Sequence, residues 1–439
     1  MIFYASVQGK SHMCVIESNN PEIQKHLEHL VALVRESGGW IHPYTKIESF
    51  DSDLRVLIEG RLRQDEKFIK LPMRALLNTE KLNIKLIGDE FSCAPDEDAG
   101  ISKIQRDLAD AMLNLYNLTG KAKWLRENSF WLGMADYPEL FDKILATRSV
   151  GKALQERRDM VVKGLKGKAL TDFIGENFIK TRVLGHKDID TDITNRSIMP
   201  VIDFLNHHWS GSGFSFSNPK NEQEKGPNIL SVQVRQPFQN SNECFAFYTP
   251  MDCLDTLFSY NFVDEEAPFV RSVPIELEVE DIGKIVIRGM TNTMNKNKLN
   301  KKITDIRAFI PIQVEKSPDE HTKILSHLLV PSLQKPLALR RTLSILISNF
   351  SGNKMDTQAV TARTLKAEEE VIAKNLAVYT DIRNDIKQVI AEKGSTPILA
   401  QLNRSMDLQL IKLNKYGSFP GKVAAAQQTQ SQKKAQAAG

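Results

Sequence analysis

The chain has 439 residues, of which 41% are hydrophobic and 26% are charged. This length exceeds what one ordinary core holds, so it predicts two or three domains, and the composition is typical of a soluble globular protein. The formal net charge is only +4, and the basic residues are spread along the chain. So mild an excess argues against a dedicated nucleic-acid-binding protein.

The four cysteines, Cys14, Cys93, Cys244 and Cys253, form no CxxC pair and no cluster with histidines. The sequence therefore predicts neither a zinc site nor a disulfide framework. No apolar run approaches the roughly 20 residues that cross a bilayer. The N-terminus lacks a basic region followed by a long apolar core, so it does not resemble a secretory signal. We expect a protein of the cytoplasm, or of the nucleus, without a membrane segment.

The N-terminal region, residues 1–99, is predicted to be mostly β-structure around one helix. Two short strands are expected within residues 1–18, and a β-rich stretch from 40 to about 78. Between them, Asn20 and Pro21 open a helix that Gly38 and Gly39 end. One face of this helix is apolar, and it consists of Ile23, Leu27, Leu30, Leu33 and Val34.

The rest of the chain alternates between helical and strand patterns. Residues 100–185 have helical spacing, and the strand signal returns over 198–264, interrupted by a loop at 217–228 and a short helix near 252–259. Beyond about 280 the pattern is mostly helical. The clearest helix is predicted for 357–393, with a stripe at Leu365, Ile372, Leu376, Tyr379, Ile386 and Val389. The last sixteen residues, 424–439, are of low complexity and are predicted to be disordered.

Two familiar motifs can be excluded. The segment KGLKGKA at 163–169 has glycines too close together for a phosphate loop, and no Ser or Thr follows its lysine. The adjacent His207 and His208 would point to opposite faces of an extended chain, which does not suit a shared metal ion. We therefore predict no metal site.

Two segments carry the signal for chemistry. In RSIMPVIDFLNHH, at 196–208, an apolar strand is predicted to end in Asp203, Asn206 and His207, side chains that are costly to bury without hydrogen bonds. A strand that runs into an ordinary polar turn is the alternative interpretation. A second segment, CFAFYTPMDCLDTLFSYNFVD at 244–264, adds Tyr248 and Tyr260 on either side of the short predicted helix. Together the two segments favour a binding site.

The order of these segments resembles the SET fold, in the branch of Rubisco large-subunit lysine methyltransferase and the actin-histidine methyltransferase. There the pattern is roughly PxxDxxNH, a variable loop, GExxxxxYG and YGF. The matching residues here are Pro200, Asp203, Asn206, His207, Glu243, Tyr248 and the stretch 260–262. Segments at 30–50, 68–78, 129–154 and 172–185 resemble the family's flanking motifs, and 360–376 resembles part of its helical substrate-binding domain.

The resemblance implies an α+β architecture: a SET-type fold of small β-sheets with a helical insert, followed by an all-helical C-terminal substrate-binding domain. The boundaries that it implies place the N-terminal part of the SET domain at 1–99 and the insert at 100–185. The C-terminal part of the SET domain follows at 186–280, the helical domain at 281–423 and the disordered tail at 424–439.

The resemblance also implies an S-adenosylmethionine-dependent enzyme that methylates a nitrogen of a protein side chain, lysine in preference to histidine. Its partner would be a protein substrate. Arg182 would face the carboxylate of the cofactor, as a charge-assisted contact. Asn206 and the backbone around His207 would hold the amino-acid end, and Asp203 would order this loop or contact the cofactor.

Two tyrosines are the catalytic candidates that the resemblance implies. Tyr248 would point its hydroxyl at the methyl-transfer channel, and Tyr260 would lie on the channel wall. Such residues suit the reaction, because a methyl group on a sulfonium is already activated and mainly needs in-line alignment. Its polarised hydrogens form weak CH···O contacts with carbonyl and phenolic oxygens.

The chain departs from the family pattern at three turns. Asp51 and Asp53 stand where the family has a Gly-x-Gly turn, which permits close approach of the backbone to the cofactor. Asn261 replaces the glycine of YGF, and Thr249-Pro250 follows the first tyrosine in place of glycine. These departures leave an alternative hypothesis: a catalytically inactive SET-fold protein that acts as a protein-binding module.

Overall fold

The computed structural model describes residues 14–51, 53–95, 99–149, 151–187, 194–217, 229–234, 242–291, 301, 303–314, 319, 321–332 and 335–436. The predicted strand before residue 14 lies outside this part, as does the loop predicted at 217–228 except for Ser217. Up to residue 128 the elements are β1 (Val15–Ser18), α1 (Pro21–Glu36), β2 (Trp40–Ile41), β3 (Thr45–Phe50), β4 (Asp53–Ile58), β5 (Lys67–Pro72), β6 (Leu77–Asn78), α2 (Thr79–Leu82), β7 (Ile84–Ile87), β8 (Glu90–Cys93), α3 (Lys103–Leu118) and α4 (Lys121–Asn128).

The middle of the chain continues with helices and then strands. These elements are α5 (Phe130–Asp136), α6 (Pro138–Leu145), α7 (Lys152–Val162), α8 (Gly167–Thr181), β9 (Val183–Lys187), β10 (Thr194–Ile198), β11 (His207–Ser212), β12 (Phe214–Ser217), β13 (Ile229–Gln233) and α9 (Cys253–Tyr260). The last part consists of β14 (Phe269–Arg271), β15 (Ile275–Val279), β16 (Gly283–Ile287), β17 (Thr322–Leu325), β18 (Leu329–Pro331), α10 (Ala338–Phe350), α11 (Thr357–Lys393) and α12 (Pro397–Gln436). The architecture is thus α+β, with small sheets, many helices and a helical C-terminal region.

The chain divides into two compact units. Unit 1 contains residues 1–126 and 167–248, and unit 2 contains residues 127–166 and 249–439. The helical region 100–185 is shared between the two units. The boundaries at 99, 185, 280 and 423 that the resemblance implies stay a prediction.

Unit 1 is built from small sheets and the helices that cover them. Its sheets have the strand orders β1-β3-β4, β6-β10-β9 and β12-β13-β5-β2, and β7 pairs with β8. Helix α1 begins where the sequence predicts, because the side chain of Asn20 accepts from the backbone N–H groups of Glu22 and Ile23. Its apolar face is buried, and burial of one such Leu or Ile side chain contributes roughly 1.5–3 kcal/mol.

Unit 2 combines strands with long helices. Its strands form the pair β14-β18 and the sheet β15-β16-β17. The helix predicted for 357–393 is confirmed as α11. It begins at the cap residue Asp356, whose side chain accepts from the N–H of Ala359, and it ends before Gly394, which has a positive φ of 87°.

Several predicted elements differ from the structure. The resemblance implies an all-helical domain from 281, but strands β16, β17 and β18 lie there. The preceding strand β15, which alternates buried and exposed residues, was not predicted either. Helix α12 continues to Gln436, and the disorder predicted for 424–439 stays a prediction. This tail is rich in Ala, Gln and Lys, which have high helix propensity and allow a helix to extend.

Candidate functional site

The segment 242–247 forms the centre of the candidate site in unit 1. On one side, the N–H of Cys244 donates to the carbonyl of Val56 at 2.7 Å, which joins the segment to β4. On the other side, the N–H of Ala246 donates to the carbonyl of Asn206 at 2.8 Å, and Ser212 donates to Phe245 at 2.8 Å. The CFAFY stretch therefore does not form the regular strand that its pattern predicts. It alternates its partners between β4 and the chain around β11.

The predicted strand at 198–205 is also wrong beyond Ile198. Pro200 has no N–H to donate, and Val201 has a φ of 66° and a ψ of −42°, a conformation that is rare for a β-branched residue. The N–H of Ile202 donates to the carbonyl of Pro200 at 2.8 Å, which closes a three-residue turn. A short 3-10 helix, Ile202–Phe204, follows and places Asp203. Backbone strain of this kind costs about 1–3 kcal/mol and is often found at functional sites.

Asp203 accepts two hydrogen bonds on one carboxylate oxygen. Arg182, which directly precedes β9, donates from Nη1 to Oδ2 at 2.8 Å, and the hydroxyl of Tyr116 on α3 donates to the same oxygen at 2.7 Å. Burial raises the pKa of Asp203, while the guanidinium and the phenol oppose that rise. The two donors favour the ionised form of the carboxylate. Sequence analysis predicted Arg182 and Asp203 as site residues, but Tyr116 carried no signal beyond its helical spacing.

Arg182 is held on more than one side. Its guanidinium lies over the rings of Phe178, at 4.3 Å, and Tyr116, at 5.4 Å. Burial opposes its charge, but the carboxylate of Asp203 outweighs this effect and raises the pKa of Arg182. The buried Nε of Arg182 has no hydrogen-bond partner among the described residues. Because a buried donor of this kind is costly, this atom points to a ligand acceptor.

Lys121 and Asp53 form a second pair of opposite charges in unit 1. The Nζ of Lys121, at the start of α4, lies 3.9 Å from Oδ1 of Asp53. Burial, and after it the charge of Arg182, lowers the pKa of Lys121. Sequence analysis missed Lys121, because the charged run KAKW is typical of a solvated helix face.

Two aspartates replace the glycines of the family pattern: Asp51 in the turn before β4, and Asp53 as the first residue of β4. Asp51 has a φ of 50°, a left-handed conformation that glycine adopts most easily and that Asp tolerates better than most residues. The carboxylate of Asp53 is balanced by Arg55, 3.3 Å away, as well as by Lys121. Asp51 therefore adopts a left-handed backbone conformation without being glycine, and the carboxylate of Asp53 has two cationic neighbours.

Asn206 and Glu243 form a hydrogen-bonded pair. The Nδ2 of Asn206 donates to Oε1 of Glu243 at 2.9 Å. Burial raises the pKa of Glu243, which the bond from Asn206 partly offsets. The pair joins the two segments that the sequence pattern singled out.

His207 and Tyr248 lie next to each other in unit 1. Their ring centroids are 4.9 Å apart, and the backbone N–H of Tyr248 donates to Nδ1 of His207 at 3.3 Å. Burial lowers the pKa of His207 to about 4, so the imidazole is neutral at pH 7. The hydroxyl of Tyr248 donates to the carbonyl of Leu205 at 2.9 Å. The structure therefore brings Arg182 to Asp203, Asn206 to Glu243, and His207 to Tyr248.

Tyr260 is the last residue of α9 and belongs to unit 2. Burial raises the pKa of its hydroxyl to about 12. The predicted pairing of Tyr248 with Tyr260 joins residues of different units and stays a prediction. The neighbouring Asn261 has a φ of 62° at the end of α9, and its Oδ1 accepts from the N–H of Phe130 at 3.1 Å. Asn261 thus adopts the left-handed conformation that the glycine of the family pattern would allow.

Unit 2 contains a buried charge network that sequence analysis did not predict. Arg148, which has no exposed side-chain surface, donates to Asp252 at 2.7 Å and to Asp255 at 2.8 Å. Arg271 donates to the other oxygen of Asp255 at 2.8 Å, and the hydroxyl of Tyr379 accepts from Arg148 at 3.0 Å.

In the described part of the chain no group of His, Cys, Asp or Glu is suited to hold a metal ion. No described helix is long and apolar enough to span a membrane.

Comparison with known proteins gave matches among solved structures but not among family models or curated proteins. No protein-family model and no curated protein matches the chain. Among solved structures, the chain is similar to the SET domain of LSMT bound to lysine and AdoHcy, with 11% identity over 92% of this chain and 93% of that chain and a TM-score of 0.42. It is also similar to Rubisco LSMT bound to AdoMet, with 10% identity over 90% and 92% of the two chains and a TM-score of 0.36. At these TM-scores the similarity does not indicate a function, so the evidence for the candidate site is the geometry of its own residues.

Proposed function

We propose that the chain is a SET-type methyltransferase that transfers a methyl group from S-adenosylmethionine to a side-chain nitrogen of a protein, lysine in preference to histidine. The observation that carries the proposal is the charge arrangement around Arg182. Arg182 and Lys121 are partly buried cations whose charges interact, each lies beside one carboxylate, and the Nε of Arg182 is unpartnered among the described residues.

This arrangement fits the amino-acid end of the cofactor, which carries one carboxylate and one ammonium. Arg182 would donate to the carboxylate from Nε, since Nη1 already donates to Asp203. Lys121 would add a second positive charge, and Asp53 would accept from the ammonium. In this interpretation Asp53, a departure from the family pattern, becomes a ligand-binding residue, and Asn206 holds the loop through Glu243.

When bound, S-adenosylmethionine supplies a methyl group on a sulfonium, already activated toward a nitrogen nucleophile. Tyr248 is proposed to orient it. A phenol oxygen keeps two acceptor lone pairs when its hydrogen is donated, as it is here to the carbonyl of Leu205. Those lone pairs suit weak contacts with polarised methyl hydrogens. Tyr260 is proposed for the wall of the channel.

The amine of the substrate must be neutral to act as a nucleophile. With its pKa lowered to about 4, His207 is a poor base for a lysine, whose reference pKa is about 10.4. Desolvation lowers the pKa of a lysine, so we propose that an apolar, aromatic-walled channel favours the neutral amine. An imidazole nucleophile would need less help, which keeps histidine as the second substrate class.

Calorimetry with S-adenosylmethionine on the full chain tests the proposal. We expect binding to the wild-type chain and loss of binding in Asn206→Ala, whose amide holds Glu243. Asn114→Ala, on the exposed face of α3, is the matched control and should bind as the wild type does. No heat of binding at millimolar cofactor would contradict the proposal and favour the inactive protein-binding module.

If the cofactor binds, transfer of a labelled methyl group to lysine-containing protein substrates tests catalysis itself. Label on lysine side chains that depends on Tyr248 supports the enzyme. Cofactor binding without any transfer across substrates would instead favour a protein that uses its cofactor site only for binding. We propose that the protein works in the cytoplasm or nucleus, because its four cysteines are free, as is usual in a reducing compartment.

A further inference from the structure

A cavity in unit 1 is lined by residues other than those proposed for methyl transfer. It has a volume of about 260 Å³, and none of the residues that line it belongs to the candidate site above. Its lining combines one polar sheet face with apolar and basic side chains: Met73, Arg74, Leu76, Asn78, Lys81, Leu82, Gly100, Ile101, Gln105, His186, Asn195 and Ser197.

The polar side of the cavity is one face of the sheet β6-β10-β9. On β10, Asn195 lies opposite His186 of β9, and Ser197 lies opposite Asn78 of β6. Because alternate residues of a strand share a face, these four side chains lie on the same side of the sheet. The Nδ2 of Asn78 donates to Oδ1 of Asn195 at 3.0 Å, and Nε2 of His186 lies 3.1 Å from Oγ of Ser197.

Among the residues that the structure describes, the charged groups that line the cavity are all basic. Arg74 donates from Nε to the carbonyl of Ser37 at 2.6 Å, which fixes the side chain and leaves its terminal nitrogens outside that bond. Lys81 lies on α2, the helix that Asn78 caps. None of the described lining residues is Asp or Glu, so among them a cationic ligand would meet two positive charges and no counter-charge.

We propose that this cavity binds a small organic anion: a carboxylate or a phosphate monoester on a short apolar body. Arg74 and Lys81 would neutralise the anionic group, and the hydroxyl and amide groups of the sheet face would add hydrogen bonds. The apolar body would contact Met73 and Leu76. The volume is near the lower end for ligand pockets, which suits a small molecule. The inference does not depend on the proposed methyl transfer.

Ligand-observed NMR on the full chain tests the inference with matched probes. Benzoate and phenyl phosphate carry the anionic group, benzyl alcohol is the neutral analogue, and benzylamine is the cationic one. We expect saturation transfer to at least one anion and none to benzylamine. No saturation transfer to either anion at millimolar concentration, or equal transfer to benzylamine, would overturn the assignment.

Two variants locate the anion in the cavity. Lys81→Met removes a charged donor and should weaken the bound anion about tenfold, a typical effect of one charge-assisted hydrogen bond. Lys85→Met, an exposed lysine on β7 outside the cavity, is the control and should leave the affinity unchanged. Ile101→Trp should fill the cavity and abolish binding, with an unchanged thermal midpoint showing that the fold is intact. Wild-type affinity in both Lys81→Met and Ile101→Trp would overturn the proposal.

Discussion

Asp203 is the residue on which the order of the candidate site depends, because its carboxylate holds both Arg182 and Tyr116. The sequence singles it out as an acidic residue that follows an apolar run, which is costly to bury without partners. It does not reveal the partners. Tyr116 comes from α3, and its helical spacing predicts a core residue, which it also is. Residue type therefore predicts that a site residue needs partners, and only the fold determines which ones it has.

The bond from Tyr116 to Asp203 has a measurable contribution. In Tyr116→Phe a buried carboxylate loses one of its two donors, so we expect the free energy of unfolding to fall by about 1–3 kcal/mol. Urea denaturation measures the change. Tyr44→Phe, at a largely exposed tyrosine, is the control and should stay within about 0.5 kcal/mol of the wild type. Equal stability of Tyr116→Phe and the wild type would show that the bond does not order Asp203.

Tyr248 is expected to act on turnover more than on cofactor affinity. Tyr248→Phe removes the hydroxyl proposed to orient the methyl group, so kcat should fall by about 10²-fold or more, as when one positioned polar group is lost. Calorimetry should give a nearly unchanged Kd for S-adenosylmethionine. A loss of turnover in Tyr260→Phe but not in Tyr248→Phe would exchange the roles proposed for the two residues.

At the scale of elements, the sequence predicts a helix correctly where one periodic pattern dominates. Helix α11 was predicted to the residue, because its apolar stripe, its cap and its terminal glycine agree. The chain between Ile198 and Tyr248 was predicted only in part: the strand pattern at 229–234 is confirmed as β13, but the runs at 199–205 and 244–248 are not regular strands. Its apolar runs are typical of strands, but their hydrogen bonds go to two different neighbours and one turn has a strained Val201. Such long-range pairing has no local signature.

Gly211 and Gly213 give a matched test of this long-range pairing. A Cβ atom on Gly211 would lie 2.6 Å from the carbonyl carbon of Ala246, whereas one on Gly213 would meet nothing within 4 Å. Because the obstacle at Gly211 is backbone, Gly211→Ala should displace the segment 242–247 and lower stability by about 1–3 kcal/mol or more. Gly211→Ala should also weaken the binding of S-adenosylmethionine. Gly213→Ala should change neither the thermal midpoint nor binding, and equal effects of the two substitutions would contradict this packing.

At the scale of the whole molecule, the α+β class was predictable and the division into units was not. Composition and the change from strand to helical periodicity indicate the class and the helical C-terminus. The division of the helical region between two units depends on contacts far apart in the chain. In unit 2, for example, Arg148 from the region 127–166 meets Asp252 and Asp255. No spacing in the sequence points to that network.

The buried network predicts how stability responds to acid. Burial opposes the charge of Asp255, but Arg271 and Arg148 outweigh it and lower the pKa of Asp255. A carboxyl with a lowered pKa stabilises the fold above its unfolded value of about 3.9 and loses that contribution as the pH falls through its folded value. In Asp255→Asn two buried arginines lose a counter-charge, so at pH 7 we expect a loss of about 3 kcal/mol or more.

Denaturation curves at several pH values measure this effect. The difference between Asp255→Asn and the wild type should begin to shrink below about pH 4, where the carboxyl of the unfolded chain takes up a proton, and should vanish below the lowered pKa of the folded state. Asp381→Asn, at an exposed partner of Lys143, is the control, and its effect should stay below about 1 kcal/mol. A difference between Asp255→Asn and the wild type that does not change with pH would contradict an ionised Asp255 in the folded state.

The charge arrangement around Arg182 and Lys121 is tested most directly by comparing two ligands that differ only in the amino-acid end. S-adenosylhomocysteine carries that end, and 5′-methylthioadenosine lacks it. By calorimetry, the wild-type chain should bind S-adenosylhomocysteine more tightly, and Lys121→Met should remove about tenfold of that affinity while leaving 5′-methylthioadenosine unchanged. Lys123→Met, an exposed neighbour on α4, should behave as the wild type does. No binding of either ligand, or an equal loss for both in Lys121→Met, would contradict the account.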